Sequence, residues 1–180
     1  MAVILITGSS TGIGYATAET LARNGHTVYA TMRNPRRSPQ LQQLADDNHL
    51  PITILPLDVV DDRSVQNSVN TVLSKEGYID VLINNAGTHT WGAVEELPME
   101  SFKTDMDTSY FGTVRCIKAV LPSMRERRKG CIINVTSVAG KVFSNFHGTR
   151  LYCGQPTCSK RRSGPSASPK ISGRRTGCGG

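Results

Sequence analysis

The chain has 180 residues, enough for one domain with a sizeable core, and its 38% hydrophobic and 19% charged residues are typical of soluble globular proteins. Its apolar stretches are only as long as β-strands, and no basic region precedes a long apolar segment at the N-terminus. This pattern excludes a membrane span and a secretion signal, and it predicts a cytoplasmic protein. Basic and acidic residues balance over 1–147, so the net charge of +7 belongs to 148–180. The neutral charge of 1–147 argues against a nucleic-acid partner for that part of the chain.

From the N-terminus, short β-rich runs alternate with longer amphipathic stretches over residues 1–136. Asp61 has the residue type of a helix N-cap, and Gly77 has that of a helix stop. The alternation predicts βαβ units around a parallel sheet. The predicted strands are 2–7, 26–31, 51–57, 79–83 and 130–136, and the predicted helices are 12–24, 38–48, 61–76 and 98–128.

The five cysteines show no spacing typical of a metal site or a disulfide framework. Cys116 and Cys131 lie within apolar segments, and we expect both to be small core residues. The sequence therefore predicts no metal centre.

A glycine-rich turn follows the first predicted strand. Residues 7–14 read Thr-Gly-Ser-Ser-Thr-Gly-Ile-Gly and lead directly into the first predicted helix. Glycines allow a tight bend and a close approach of the backbone to a pyrophosphate, and the N–H groups at a helix N-terminus favour an anion. The turn therefore predicts a phosphate-binding loop, although glycine-rich turns also join strands to helices without any ligand.

Three further motifs stand at the carboxyl ends of predicted strands, the edge where ligands bind in an open parallel sheet. They are Asp58-Val59, residues 84–87 (Asn-Asn-Ala-Gly) and residues 134–140 (Asn-Val-Thr-Ser-Val-Ala-Gly). Together with the TGxxxGIG loop, they make residues 1–147 resemble the short-chain dehydrogenase/reductase family. The resemblance implies a doubly wound α/β fold of Rossmann type, with about five parallel strands in the order 3-2-1-4-5.

The resemblance also implies a nicotinamide coenzyme. In the family, the glycine-rich loop holds the pyrophosphate, the Asp-Val pair borders the adenine, and the Asn-Ala-Gly segment lines the adjoining ribose. The alternative for the asparagines is hydrogen bonding within the protein at the strand end. In this chain, the residues are Gly8, Ser10, Gly12, Ile13 and Gly14 for the pyrophosphate, Asp58 and Val59 for the adenine, and Asn85, Ala86 and Gly87 for the ribose.

The end of the second predicted strand indicates which coenzyme is bound. NAD-binding folds place an Asp or Glu there to bind the ribose 2′-hydroxyl. This chain has Arg33 there, followed by Arg36 and Arg37, and no carboxylate in residues 29–34. Because a guanidinium pairs with phosphate through two N–H donors, the pattern favours NADP over NAD. The alternative is that these arginines belong to a solvated basic loop that binds no ligand.

The family moves a hydride between nicotinamide and a carbonyl or secondary alcohol carbon. It uses a serine, a tyrosine phenolate, a lysine four residues after the tyrosine, and an asparagine on the long helix. Ser137 matches the serine, but position 109 is Ser rather than Asn, and Tyr152 is followed four residues later by Pro156. Proline carries no charge and disfavours the helix. The resemblance therefore implies an NADP-dependent oxidoreductase with impaired proton transfer, in which Ser137 and Tyr152 are the candidate catalytic residues.

The family also suggests where substrate and partner bind. Residues 88–94, with Trp91, are expected to border the pocket for a small carbonyl or alcohol substrate, although an aromatic loop residue packs on the core as often. The helix 98–128 is expected to mediate a homo-oligomer contact, since its counterpart helps to form the family's dimer interface. The fifth strand is central in the family's sheet and would here be an apolar edge, which predicts marginal stability.

Residues 148–180 form a basic low-complexity tail after the predicted dinucleotide-binding domain, 1–147. The tail lacks the apolar periodicity of a packed element, and we expect it to be disordered. A shifted reading frame is one hypothesis for it, because the codons allowed for 157–170 also permit an amphipathic, helix-prone peptide. Two further interpretations stay open: an inactive nucleotide-binding or interaction protein, and a nucleic-acid binder that uses the tail.

Overall fold

Strands and helices alternate along residues 1–137, the part of the chain that the computed structural model describes. The five strands form one parallel sheet in the order β3-β2-β1-β4-β5, which confirms the predicted topology. A short 3-10 turn spans Pro35–Arg37, and a π-helical turn, Asp107–Phe111, separates the last two helices. The strands are β1 (Val3–Ile6), β2 (Thr27–Met32), β3 (Ile52–Pro56), β4 (Val81–Asn84) and β5 (Cys131–Asn134); the helices are α1 (Gly12–Arg23), α2 (Gln40–Asp47), α3 (Asp62–Glu76), α4 (Met99–Met106) and α5 (Gly112–Glu126).

The sheet has a hydrophobic core on each face. Successive residues of a strand point to opposite faces. Val3 and Leu5 of β1 accordingly belong to the core that contains apolar residues of α3 and α5, whereas Ile4 and Ile6 belong to the core that contains those of α1 and α2. All four residues are buried, as expected for the central strand of a doubly wound sheet.

Helix α3 begins and ends at the two residues predicted from the sequence. The Asp61 carboxylate accepts a hydrogen bond from the Arg63 N–H at 2.9 Å, and Gly77 ends the helix in the left-handed conformation, at φ +78°. The predicted helix 98–128 is instead divided into α4, the π-helical turn and α5. Apolar spacing cannot distinguish a π-helical turn from α-helix, because the chain continues in nearly the same direction.

The two cysteines within the described residues differ in burial. Cys116 lies in the core, where burial raises the pKa of its thiol to about 12 against the lowering effect of Arg115. Cys131 is exposed, so its predicted core position is wrong. It begins β5, which within residues 1–137 pairs only with β4, and Ile133 of the same strand is 41% exposed.

A buried carboxylate holds the sheet at the amino end of its strands. Asp80 is nearly buried, and it accepts hydrogen bonds from the Val3 N–H at 3.1 Å and from Arg127 at 3.1 Å, with the Lys129 ammonium at 3.5 Å. Burial raises the pKa of Asp80, but the hydrogen bonds and the two positive charges outweigh it and leave the pKa below its usual value. Asp80 therefore contributes most to stability when it is ionised.

The predicted domain boundary at 147 and the tail 148–180 lie outside the described residues. Among the helices of residues 1–137, none combines the length and apolar composition that a bilayer crossing requires.

Candidate functional site

A cleft of about 830 Å³ opens at the carboxyl ends of the strands. The predicted coenzyme residues all line it, with the exception of Gly14, which lies in the layer beneath. Ser137, the predicted catalytic serine, also lines it, whereas Tyr152 lies outside the described residues. The remaining lining residues are Thr11, Met32, Leu57, Val60, Thr88, His89, Thr90, Trp91, Gly92, Asp105, Thr108, Ser109, Val135 and Thr136.

The glycine-rich turn packs directly against the loop that follows β4. Gly8 has φ +70°, and a Cβ at this position would come within 2.7 Å of the Ala86 Cα. A Cβ at Gly14 would overlap the Gly8 carbonyl oxygen and the Asn85 Nδ2. Both positions therefore require glycine, for its conformation at Gly8 and for its size at each.

Helix α1 presents its N-terminus to the cleft. Its N-cap residue, Thr11, makes no side-chain hydrogen bond to the first turn, and no acidic residue lies in that turn. The N–H groups at a helix start have no partner within the helix and carry partial positive charge. Residues 10–13 therefore form a place where the negative oxygens of a diphosphate would be stabilised.

Thr7 and Asn85 fix the glycine-rich turn to the loop after β4. The Thr7 hydroxyl oxygen accepts hydrogen bonds from the N–H groups of Asn85 and Ala86, both at 3.0 Å. In return, the Asn85 amide donates to the carbonyls of Thr7 at 3.0 Å and Gly8 at 2.9 Å. Asn85 therefore lines the cleft but uses its amide group within the protein. Thr7 begins the glycine-rich motif 7–14, but no role was predicted for its side chain.

Arg33 is exposed at the end of β2 and lines the cleft. Within residues 1–137, its guanidinium takes part in no ion pair or hydrogen bond. The turn after it is held by Asn34, whose side chain accepts a hydrogen bond from the Arg36 N–H at 3.1 Å. Arg36 and Arg37 are exposed beside it. This end of the cleft can therefore accept an anionic group.

Asp58 and Val59 form the wall of the cleft after β3. The Asp58 side chain accepts a hydrogen bond from the Val60 N–H at 3.2 Å, which fixes the local turn. Arg115 of α5 donates to the Val59 carbonyl at 3.3 Å and pairs with Asp107 at 2.7 Å. This arginine therefore attaches the wall to the π-helical turn.

Ser137 and the asparagines mark the opposite wall. Ser137 is the last described residue and lies just beyond β5. At the end of the same strand, the Asn134 side-chain oxygen accepts a hydrogen bond from the Asn84 amide at 2.9 Å, which links β4 to β5. The predicted use of an asparagine in hydrogen bonding across the sheet is thus present at Asn84.

Ser109 lies on the π-helical turn, at the position where the family usually has asparagine. It is buried, and its hydroxyl accepts from the Thr88 N–H at 3.3 Å and donates to the Thr88 carbonyl at 3.2 Å. The hydroxyl is therefore occupied by the loop after β4.

Of residues 88–94, the segment expected to border a substrate pocket, residues 88–92 line the cleft. Trp91 is 55% exposed and contacts His89 edge to face, with 5.0 Å between the ring centroids. Asp105 of α4, for which no role was predicted, is only 8% exposed, and its Oδ2 accepts from the Thr90 N–H at 2.7 Å. No motif contains Asp105, and a carboxylate in an amphipathic helix is ordinarily read as solvated.

Comparisons with known proteins agree with this architecture. The family model described as short chain dehydrogenase matches residues 2–154. The chain is 40% identical over 146 residues to the 3-ketodihydrosphingosine reductase of Bacteroides thetaiotaomicron, covering 81% of the chain and 51% of that protein. It is 41% identical over 141 residues to the retinol dehydrogenase 8 of Bos taurus, covering 76% and 45%.

Among solved structures, ElxO with NADP bound superimposes with a TM-score of 0.71 at 32% identity, covering 83% of the chain and 60% of that structure. The chain spans about half the length of the curated relatives it matches. The family model covers most of the chain. The chain therefore belongs to the short-chain dehydrogenase family, whose members are NAD(P)-dependent oxidoreductases.

Proposed function

We propose that this chain binds NADP in the cleft and belongs to an oxidoreductase of small carbonyl or secondary alcohol compounds. The observation that carries the proposal is the turn at residues 8–14, where two tightly packed glycines bring the uncapped N-terminus of α1 to the cleft. A backbone so placed fits a diphosphate, because the first N–H groups of a helix have no partner within the helix and its N-terminus carries partial positive charge. When bound, the coenzyme would donate or accept the hydride.

The predicted coenzyme residues divide this cleft into three parts. Gly8, Ser10, Gly12, Ile13 and Gly14 bind the pyrophosphate or shape its loop. Asp58 and Val59 border the adenine. Asn85, Ala86 and Gly87 line the ribose; since the Asn85 amide is bonded to the turn, its part is to position that turn.

Arg33 selects NADP over NAD in this proposal. Its guanidinium is exposed, lines the cleft and has no acidic partner within residues 1–137, so it is available for a 2′-phosphate. A bidentate contact between a guanidinium and a phosphate is charge-assisted and geometrically specific. The structural likeness to an NADP-bound protein supports the same choice.

Proton transfer is impaired in this proposal. Ser137 lines the cleft, where its hydroxyl would donate a hydrogen bond to a substrate oxygen. Tyr152 is the candidate acid/base, but the position four residues beyond it is Pro156, which has no positive charge to lower a phenol pKa. The Ser109 hydroxyl is already bonded at both its donor and acceptor sides. A coenzyme-binding protein with little or no turnover is therefore the second candidate function.

The exposed aromatic residues on the π-helical turn support a homo-oligomer contact. Tyr110 and Phe111 are 37% and 49% exposed and contact each other edge to face. Aromatic residues are enriched in protein interfaces. We propose that this face meets a second copy.

The experiment is a fluorescence titration of the purified chain with NADPH and NADH. We expect wild type to bind NADPH more tightly, and Arg33→Ala to lose about tenfold or more of its NADPH affinity while its NADH affinity stays unchanged. Arg125→Ala, on the exposed side of α5, removes the same charge and should leave both affinities unchanged. Equal wild-type affinities for the two coenzymes would overturn the assignment of Arg33.

Turnover of NADPH with a panel of ketones and aldehydes tests the impairment. We expect no turnover, even with saturated coenzyme. A measurable rate that disappears in Ser137→Ala and Tyr152→Phe would show that proton transfer is intact.

A further inference from the structure

We infer that Arg115 is a positioning residue for the adenine half of the coenzyme. Arg115 does not belong to the cleft lining, so it acts through residues 58–60, the wall of the cleft that follows β3. The inference rests on the proposed function in taking this wall as the adenine side. It goes further in assigning part of the coenzyme affinity to a side chain that does not touch the ligand.

The wall is held mainly by bonds from its own neighbourhood. The Asp58 N–H donates to the Ser64 hydroxyl at 2.9 Å, and the Val60 N–H donates to the Asp58 side chain at 3.2 Å. Within residues 1–137, the hydrogen bond that reaches the wall from beyond this loop and the start of α3 comes from Arg115. Its Nη1 donates to the Val59 carbonyl at 3.3 Å. Arg115 therefore ties the wall to α5.

The peptide group between Val59 and Val60 is fixed at both of its polar atoms. Its carbonyl oxygen accepts from Arg115, and its N–H donates to the Asp58 carboxylate. Because a peptide group is planar, the two bonds together fix its orientation. The position of the Val59 side chain at the cleft follows from that orientation.

Helix α5 comes close enough to the wall for this contact. A Cβ at Gly112 would lie 2.8 Å from the Val59 side chain and 3.2 Å from the Val59 carbonyl oxygen. Gly112 and Arg115 are three residues apart and therefore lie on the same side of the helix. The glycine thus allows the close approach, and the arginine bonds the carbonyl that the approach brings within reach.

The Arg115 guanidinium is itself held in place. Its Nη2 pairs with the Asp107 carboxylate at 2.7 Å, and its Nη1 also donates to the Asp107 carbonyl at 3.3 Å. Its Nε lies 3.4 Å from the Asp62 carboxylate, and the side chain is 23% exposed. A guanidinium is planar with donors in fixed directions, so these contacts aim Nη1 at Val59. Two carboxylates match its charge, which leaves it a geometric role.

The test is a calorimetric titration of the full chain with 2′,5′-ADP, the adenine half of NADP. We expect Arg115→Met, which keeps the length but removes the donors, to bind about tenfold more weakly than wild type. Arg115→Lys keeps the charge and a donor without the fork, and it should fall between the two. Arg125→Met, at an exposed position of the same helix, should bind as wild type does.

Amide hydrogen exchange separates positioning from a general loss of stability. In Arg115→Met, the Val60 amide should exchange severalfold faster than in wild type. The Asn85 and Ala86 amides, which donate to Thr7, should keep their wild-type rates. If Arg115→Met does not fold, Asp107→Asn takes its place: it leaves the arginine but weakens the contact that orients it, and it should bind 2′,5′-ADP severalfold more weakly.

Two results would overturn the role of Arg115 and leave the coenzyme site intact. One is equal 2′,5′-ADP affinity in wild type and Arg115→Met. The other is faster exchange at the Val60, Asn85 and Ala86 amides alike, which would assign the arginine to general stability. A wild type that binds neither 2′,5′-ADP nor NADPH would instead refute the coenzyme site, and the role of Arg115 with it.

Discussion

Replacing Thr7 with valine tests whether one hydroxyl joins the glycine-rich turn to the loop after β4. Thr7 is 1% exposed, and its Oγ1 accepts from the N–H groups of Asn85 and Ala86 at 3.0 Å each. Valine has nearly the same shape, so no cavity forms, but two backbone donors lose their partner. An unsatisfied buried N–H costs about 1–3 kcal/mol, and both donors lie beside the cleft where water can reach part of them. We expect the free energy of unfolding to fall by about 2–4 kcal/mol, a large part of the usual 5–15 kcal/mol.

Urea denaturation followed by circular dichroism measures this loss, and Thr31→Val provides the matched control. Thr31 is equally buried, but its hydroxyl only donates, to the Ile6 carbonyl at 3.0 Å, and that carbonyl also receives the Ser9 hydroxyl at 3.4 Å. We expect Thr31→Val to cost about 1 kcal/mol, and Thr7→Ser to retain wild-type hydrogen bonding. A Thr7→Val protein no less stable than Thr31→Val would refute the reasoning.

Two further predictions concern packing and pH. In Gly112→Ala, the new Cβ would lie 2.8 Å from the Val59 side chain. Urea denaturation should therefore show that the free energy of unfolding falls by about 1–3 kcal/mol. An unchanged denaturation midpoint would contradict this contact. Because the pKa of Asp80 is lowered in the folded state, its contribution is full above the unfolded-state value and is lost as the pH falls below about 4. Asp80→Asn should therefore lower the free energy of unfolding by about 2 kcal/mol at neutral pH and make it depend less on pH in acid. A variant whose stability falls with pH in parallel with wild type would show that Asp80 is not the titrating group.

The order of the strands could be predicted because local patterns and the family motifs agreed. The strands β1 to β4 lie within apolar runs of the sequence. Parallel strands joined by helices have few allowed arrangements, so the strand order could then be predicted. The ends of α3 were readable from Asp61 and Gly77, since caps have a local cause. The predicted burial of Cys131 was wrong because apolar neighbours in the sequence do not show whether a second layer covers that strand.

The site was predictable where its parts are backbone features within one short motif, as in the glycine-rich turn. It was not predictable where a side chain acts across a long separation. Thr7 meets Asn85 and Ala86 only once β1 and β4 pair, and Asp105 meets Thr90 only once α4 packs under the loop. Such pairs carry no spacing signal, because tertiary structure alone brings them together.

The reciprocal bonds between Thr7 and Asn85 have a consequence for ligand association. They hold the phosphate loop in shape through contacts made entirely by the protein, so the loop is preorganised and little conformational entropy is lost when a nucleotide arrives. The Asn85 and Ala86 amide protons, which donate to Thr7, should already exchange slowly in the apoprotein. The ligand's binding energy then goes into affinity rather than into ordering the receptor.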